Sequence, residues 1–263
     1  MALALPLMGN RLVLNLLAGA EAVWIPNRLQ QYGLSDAGAF SVYGVLTGMA
    51  LPFIFFPSAV TNSLAVVLLP TVAEAQAQDN SSRIEKTIAA ALRYSLYMGI
   101  FCIGLFTLLG PDLGMTVFRN QTAGQYIAVL AWLCPFMYIS TTMGSILNGL
   151  GKTSSVFLHN AVSMLVNLAF VVFGIPRMGM RAYFYGLLLS ELLLALLHLR
   201  CLHKAVRVSI EPWEMIVKPC LCLAAAAGLL KLCAPALASL KAAGMNEFLC
   251  LAGQGAVVSA GYG

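Results

Sequence analysis

Long apolar runs, separated by short polar stretches, set the pattern of this chain. A helix needs about 20 apolar residues to cross the hydrocarbon core of a bilayer. Eight runs approach or exceed that length, at approximately 3–26, 38–70, 88–109, 123–148, 154–175, 180–200, 215–234 and 245–260. The pattern therefore predicts an all-α integral membrane protein with about eight transmembrane helices.

The second run is longer than a bilayer is thick, and it contains Pro52 and Pro57. It is interpreted either as one tilted, proline-kinked helix or as a helix with an interfacial extension. The polar stretches 71–87 and 201–214 and a tight turn at 149–153 are the main connections. None is long enough to separate two soluble domains.

Composition supports a membrane protein, because 60% of the 263 residues are hydrophobic and only 10% are charged. A soluble domain has roughly 25% charged residues to cover its surface. The net charge of +5 does not indicate nucleic acid, since the basic residues stand singly near the ends of apolar runs. Alternate loops carry eight and six Lys or Arg residues, a small excess that favours a cytoplasmic N-terminus.

The first run carries the polar residues Arg11, Asn15, Glu21 and Arg28. Glu21 and Arg28 are seven residues apart and share one helix face, while Arg11 and Asn15 share a neighbouring face. Polar groups at membrane depth are costly, so we predict a face that binds an anionic substrate or gates a wet cavity. Alternatively, the two arginines reach opposite interfaces and Glu21 pairs locally.

Glu191 lies in the Leu-rich sixth run. Its carboxylate could carry a coupling ion, or it could accept a structural hydrogen bond from a neighbouring helix. The asparagines in or at the edge of spans are predicted to join helices by hydrogen bonds; they are Asn62, Asn148, Asn160 and Asn167.

Catalytic and metal-binding patterns are not evident in the sequence. The three histidines, His159, His198 and His203, have no ligand-like spacing, and the seven cysteines lie in or against apolar runs. The GLGK at 149–152 lacks the context of a phosphate-binding loop and is interpreted as a helix–helix turn. We therefore predict no enzyme activity, no cofactor and no metal.

Three stretches carry a resemblance to a known family. They are 21–33 (EAVWIPNRLQQYG); 43–52 (YGVLTGMALP), continued by Phe56, Pro57 and 68–75 (LLPTVAEA); and 146–152 (ILNGLGK), followed by 179–182 (GMRA). Over roughly residues 3–235 the chain resembles the C-terminal half of the stage V sporulation protein B group. That group belongs to the polysaccharide-transporter branch of the MATE-like (MOP) exporter superfamily, alongside the lipid II flippases.

The resemblance implies two six-helix lobes around a central cavity, with extra C-terminal helices, working by alternating access in a bacterial plasma membrane. It makes residues 1–205 the second lobe and 206–263 an additional helix pair, truncated at its end. The implied partners are the lipid bilayer, a lipid-linked saccharide and a first lobe on the same or a separate chain. The complete two-lobe protein, of which this chain would be one part, would translocate a polyprenyl-linked saccharide, a precursor of peptidoglycan or of another polysaccharide.

The sequence departs from the lipid II flippases in one place. Those proteins carry an arginine and a glutamate just before the proline of the second run, whereas residues 44–49 are uncharged here. By geometry, Arg11 and Arg28 are the available cations for a pyrophosphate. Alternative functions are a cation-coupled multidrug exporter that uses Glu191 or Glu21, and a scaffold that does not transport.

Overall fold

The computed structural model describes residues 4–206, 213, 217–228 and 253–259, with side chains from residue 15 onward. These residues form helices and turns, and no strand occurs among them. The chain is an all-α integral membrane protein, as predicted. Its main helices are α1 (Ala4–Gln31), α2 (Asp36–Phe55), α3 (Ser58–Ala77), α4 (Ser81–Phe118), α5 (Gln121–Gly149), α6 (Thr153–Met178) and α7 (Met180–Ala205).

Six of these helices, α2 to α7, are long and apolar enough to cross a membrane. Helix α1 is not one of the six, and it carries Asn10, Arg11, Asn15 and Glu21 along its length. A shorter apolar helix, α8 (Lys218–Gly228), occupies part of the seventh predicted run. The rest of that run and most of the eighth lie outside the described residues, so the count of eight spans and the 206–263 helix pair stay predictions.

The second predicted run, 38–70, is divided between α2 and α3, which meet at Phe56 and Pro57. Both residues keep helical torsion angles, with φ and ψ of −56° and −49° at Phe56 and −66° and −20° at Pro57. The Phe56 amide donates to the Pro52 carbonyl at 3.0 Å. The run is therefore one proline-interrupted helical path, which agrees with the kinked-helix interpretation.

Irregular turns inside the long helices stand before prolines. Wide π-helical turns at Leu46–Ala50 and Phe170–Gly174 precede Pro52 and Pro176, and a narrow 3₁₀ turn at Ala131–Leu133 precedes Pro135. A proline has no amide hydrogen and clashes with the carbonyl four residues earlier, so a local change of pitch accommodates it. These turns let the helices continue across the membrane instead of ending.

Helix α5 is central, and it packs on α2, α3, α4 and α7. Glycines allow the closest approach to α4: a Cβ built on Gly114 would lie 2.3 Å from the Gly124 amide nitrogen, and one on Gly99 would lie 2.4 Å from the Pro135 Cα. Small residues are the usual means by which membrane helices come together. Helix α6 lies on the other side of α7 and also contacts α1.

The predicted turn at 149–153 is confirmed. Helix α5 ends at Gly149, α6 begins at Thr153, and Gly151 between them has φ +73°, which glycine adopts without strain. The Lys152 amide closes the turn by donating to the Leu147 carbonyl at 2.9 Å. The turn therefore makes the end of α5 and the beginning of α6 neighbours.

Candidate functional site

Glu21 of α1 is joined to α6 by a direct side-chain hydrogen bond. The Asn167 amide nitrogen donates to Glu21 Oε1, although the two residues are 146 positions apart in sequence. Asn167 is buried and Glu21 is half-buried. The hydroxyls of Tyr43 and Tyr183 lie close enough to this carboxylate to interact with it electrostatically. Asn167 therefore joins helices as predicted, and Glu21 pairs across helices and not within its own.

Close packing of α7 holds Asn167 in place. A Cβ on Gly186 would lie 3.0 Å from Asn167 Oδ1 and 2.6 Å from the Phe170 Cβ, so only glycine fits there without displacing a neighbour. One turn away, the Ser163 hydroxyl donates to the Ser190 carbonyl at 2.8 Å. Side-chain hydrogen bonds thus join α1 to α6, through Glu21 and Asn167, and α6 to α7, through Ser163 and the Ser190 carbonyl.

Arg28 lies near the end of α1, away from the Glu21 contact. Its Nη1 donates to Gln31 Oε1 at 2.7 Å, and the side chain lines a groove of about 550 Å³ with Trp24, Asn27 and Gln30. The structure therefore places Glu21 and Arg28 in different surroundings. Elsewhere in the described structure, Arg83 forms an ion pair with Glu74, at 3.4 Å.

The other two predicted residues of α1 are not brought into a site. Asn15 is exposed on the helix surface. Arg11 belongs to α1, but its side chain lies outside the described residues. Their assignment to substrate binding stays a prediction.

Glu191 of α7 faces a polar cavity of about 360 Å³ between α5, α6 and α7. The Ser140 hydroxyl of α5 lies 3.1 Å from Glu191 Oε2 and 3.0 Å from the Met137 carbonyl oxygen of its own helix, and its single hydrogen can be donated to either acceptor. Glu191 therefore has a hydrogen-bond partner on a neighbouring helix. The same carboxylate also lines the cavity. The walls are otherwise formed by Met137, Ser140, Thr141, Gly144, Ser145, Asn148, Val156, Asn160, Leu194 and His198.

Two histidines, His198 and His159, lie at this cavity, and their spacing in the sequence did not predict that they would meet. His198 is only 2% exposed, and its Nδ1 lies 3.1 Å from the Ser140 carbonyl oxygen. The His159 ring lies beside it, with ring centroids 5.2 Å apart. A usable signal was present, because Glu191 and His198 are seven residues apart on one helix face. Within the described residues, no three His, Cys, Asp or Glu side chains lie together as a metal site would require.

Comparison with known proteins gives two related sequences. The chain is 25% identical to stage V sporulation protein B of Bacillus subtilis (strain 168) over 213 residues, which are 80% of this chain and 41% of that protein. The predicted resemblance to the stage V sporulation protein B group is confirmed. The chain is also 26% identical to sporulation protein YkvU of the same organism, over 80% of this chain and 48% of that protein.

The extent of these alignments limits what they show. The chain spans less than half the length of the curated relatives it matches. No family model and no solved structure matches it. The activity and partners of a complete protein are therefore matters for proposal.

Proposed function

We propose that this chain is one lobe of a flippase that translocates a polyprenyl-linked saccharide across a bacterial plasma membrane by alternating access. The observation that carries the proposal is the similarity to stage V sporulation protein B over 80% of the chain. The six long apolar helices and the polar contacts between them are consistent with a transport lobe. A first lobe, on the same or a separate chain, would complete the pathway.

The groove around Arg28 has the chemistry that such a substrate needs. A lipid-linked saccharide presents an anionic pyrophosphate at the membrane surface, and a guanidinium can bind phosphate oxygens in pairs. The side chains of Asn27 and Gln30 offer hydrogen bonds to sugar hydroxyls, and Trp24 offers an aromatic face. Among the described residues, the hydrogen-bond partner of Arg28 is Gln31 of its own helix, so the guanidinium can turn toward a ligand at small cost.

The test is translocation of a labelled lipid-linked saccharide by the complete two-lobe transporter in vesicles. We expect Arg28→Ala to reduce the rate about tenfold, because one charge-assisted contact to phosphate is lost. Arg177→Ala is the matched control. Arg177 is exposed near the end of α6 and donates to the Phe173 carbonyl of its own helix at 3.0 Å. Unchanged transport by Arg28→Ala, or an equal loss in both variants, would overturn the assignment of Arg28.

A cation-coupled multidrug exporter is the second candidate, and the observation that favours it is the Glu191 carboxylate facing a cavity. Such exporters need a carboxylate at membrane depth whose charge changes during transport. Drug resistance that is lost on replacing Glu191 or Glu21, without any saccharide translocation, would select this function over the flippase.

A further inference from the structure

The cavity beside Glu191 extends from the middle of the helices toward one end of the bundle. Glu191 lies near the centre of α7, 11 residues after Met180 and 14 before Ala205. At the other limit, Asn148 directly precedes the last residue of α5, next to the turn at 149–153. The cavity therefore connects a carboxylate at mid-helix depth with the side of the membrane on which this turn lies.

Buried polar atoms around the cavity call for a polar occupant. Neither His198 Nε2 nor Asn148 Oδ1 has a hydrogen-bond partner among the described residues, and both side chains line the cavity. His159 Nδ1, beside the His198 ring, is also unpaired there. Buried polar groups are almost always paired, with protein or with ordered water. The cavity is polar and large enough for several water molecules, which would satisfy these atoms.

The hydrogen bond of His198 fixes the role of its second nitrogen. Nδ1 lies 3.1 Å from the Ser140 carbonyl oxygen, and a carbonyl oxygen only accepts hydrogen bonds. Nδ1 must therefore carry the hydrogen, which leaves Nε2 of the neutral ring as a proton acceptor. Ser140 thus contacts both groups, with its hydroxyl on Glu191 and its carbonyl on His198.

Among the residues that the structure describes, no basic side chain lines the cavity to balance the charge of Glu191. Helix α5 presents only neutral polar groups to the cavity: Ser140, Thr141, Ser145 and Asn148. From α6 come Asn160 and, behind the wall, His159, and α7 adds His198; no Lys or Arg is among the lining residues. A carboxylate at membrane depth without a cationic partner is neutralised by a proton or by a bound cation.

We propose that Glu191 reversibly binds a proton that reaches it through this cavity from the side of the 149–153 turn, with His198 as the relay. In the relay, Nε2 accepts a proton from a hydronium ion in the cavity, which leaves water, and the imidazolium then passes that proton from Nε2 to the water beside Glu191. The hydronium formed there protonates the carboxylate, so that His198 is again neutral and Glu191 is a carboxylic acid. The imidazole of His198 binds a proton but is a poor ligand for a hard alkali cation, which selects oxygen ligands. Because the wall also presents hydroxyl and amide oxygens, sodium is the competing occupant that the titration must exclude. The proposal rests on the proposed transport function, for which it names the coupling ion and its entry path.

Protonation of Glu191 can be measured directly, without transport. We expect pH-difference infrared spectra of the full chain in lipid nanodiscs to show a carboxylic-acid C=O band that Glu191→Gln removes. Glu21→Gln is the matched control, since it removes another carboxylate that is hydrogen-bonded between the described helices, and it should leave the band in place. A band that is absent, that survives Glu191→Gln, or that sodium titrates away at constant pH would overturn the proposal.

The relay has a separate kinetic readout. After a pH jump, we expect His198→Gln to slow the appearance of the Glu191 band about tenfold while leaving the pH midpoint of the titration unchanged, because a relay changes a rate and not an equilibrium. If the Glu191 band appears at the same rate in His198→Gln and in the parent protein, His198 does not relay the proton. A general loss of packing would move the midpoint as well.

Water access through the cavity can be tested by cysteine labelling in a variant whose seven cysteines are replaced by serine. Asn160→Cys, in the cavity wall, should react with a membrane-impermeant methanethiosulfonate about tenfold faster than Leu158→Cys, since a thiolate forms in water and not in lipid. Leu158 is 59% exposed on the outer face of α6 and lies closer to the turn, so depth does not explain the difference. Equal rates would overturn the entry path.

These outcomes are distinguishable from failure of the proposed function. A complete transporter that does not move lipid-linked saccharide, yet shows the Glu191 band, would remove the flippase and keep the proton site. Saccharide transport that persists without a pH gradient and in Glu191→Gln would keep the flippase and remove the coupling role.

Discussion

Among the described residues, Glu21 and Glu191 are two glutamates whose carboxylates are hydrogen-bonded between helices, and their surroundings differ. Glu21 is tied to the Asn167 amide, which joins α1 to α6, and it lies beside Tyr43 and Tyr183. Glu191 is tied to a single hydroxyl, that of Ser140, and it also faces a polar cavity with His198 in its wall. The Glu21 carboxylate is part of a helix–helix contact, whereas the Glu191 carboxylate also faces a cavity from which it can take up a proton.

The comparison shows that residue type and depth do not decide what a membrane carboxylate does. An amide from a facing helix binds the carboxylate by a charge-assisted bond and, in doing so, couples the two helices. Among the described residues, each carboxylate has one side-chain hydrogen-bond partner and about four lone-pair sites, so the difference lies in what else each one meets: a helix–helix contact for Glu21 and a polar cavity for Glu191. We therefore expect replacement of Glu191 to affect transport, and disruption of the Glu21 contact to affect stability.

The largest expected effect is the loss of coupled transport in Glu191→Gln. Glutamine keeps the size of the side chain and an oxygen for the Ser140 hydroxyl, but it cannot bind and release a proton. We expect pH-gradient-driven transport by the complete transporter to fall about 100-fold, equivalent to about 2.7 kcal/mol. The thermal midpoint should stay close to that of the parent protein, which separates the effect from misfolding.

Glu21→Gln is the reference for that measurement. Its amide can still form a hydrogen bond with Asn167, so the rate should remain within a few-fold of the parent. A loss in Glu21→Gln as large as that in Glu191→Gln would contradict the functional distinction between the two carboxylates.

The next effect in size is the destabilisation of the bundle by Asn167→Ala. The substitution removes the donor to Glu21 and leaves a half-buried carboxylate without its interhelical partner. A hydrogen bond to a charged group contributes roughly 2 kcal/mol, and we expect a loss of that order in the free energy of unfolding. Denaturant unfolding in detergent, monitored by the accessibility of buried Cys102, measures it.

Asn160→Ala is the matched control, seven residues earlier on the same helix. The Asn160 amide donates to the Val156 carbonyl of its own helix at 2.8 Å, so its loss breaks no contact between helices. We expect a destabilisation of about 0.5 kcal/mol. Equal losses in both asparagine variants would show that the Glu21 contact contributes nothing beyond an ordinary polar substitution.

The sequence was sufficient to predict much of the fold. Apolar runs of membrane-crossing length gave the helices, and Pro52 and Pro57 identified the interrupted second run, because lipid imposes length and hydrogen-bonding rules that hold for each helix separately. The glycine turn at 149–153 was likewise a local feature. For the interrupted second run and for the glycine turn, the structure agrees with the prediction. The first run differs, because α1 carries polar residues along its length and is not one of the six helices apolar enough to cross a membrane.

The sites were less predictable, because they depend on which helix faces which. Glu21 and Asn167 are 146 residues apart, and nothing in the periodicity of either helix names the other. The cavity beside Glu191 forms only when α5, α6 and α7 pack together. His159 and His198 belong to different helices, so their spacing along the chain does not predict that their rings lie side by side. The seven-residue spacing of Glu191 and His198 does predict that they share one face of a helix. It does not predict which helices pack against that face.

Ser140→Ala is expected to have the smallest effect on stability or transport of the three principal variants. It tests directly whether the Ser140 hydroxyl stabilises the charged carboxylate of Glu191. This substitution removes the one hydroxyl bonded to Glu191 but keeps the backbone carbonyl that accepts from His198. Hydrogen bonds between membrane helices contribute about 1 kcal/mol, so the free energy of unfolding should fall by roughly that amount. The pH midpoint of the Glu191 infrared band should rise, since a bond that favours the charged carboxylate is lost. Thr141→Val is the control, because both hydroxyls line the cavity and contact the Met137 carbonyl, whereas among the described residues the hydroxyl bonded to Glu191 is that of Ser140. If Ser140→Ala leaves the midpoint where Thr141→Val leaves it, Ser140 does not hold Glu191 in its charged form. The carboxylate would then exchange with cavity water alone, and the contrast with the closed Glu21 contact would be sharper still.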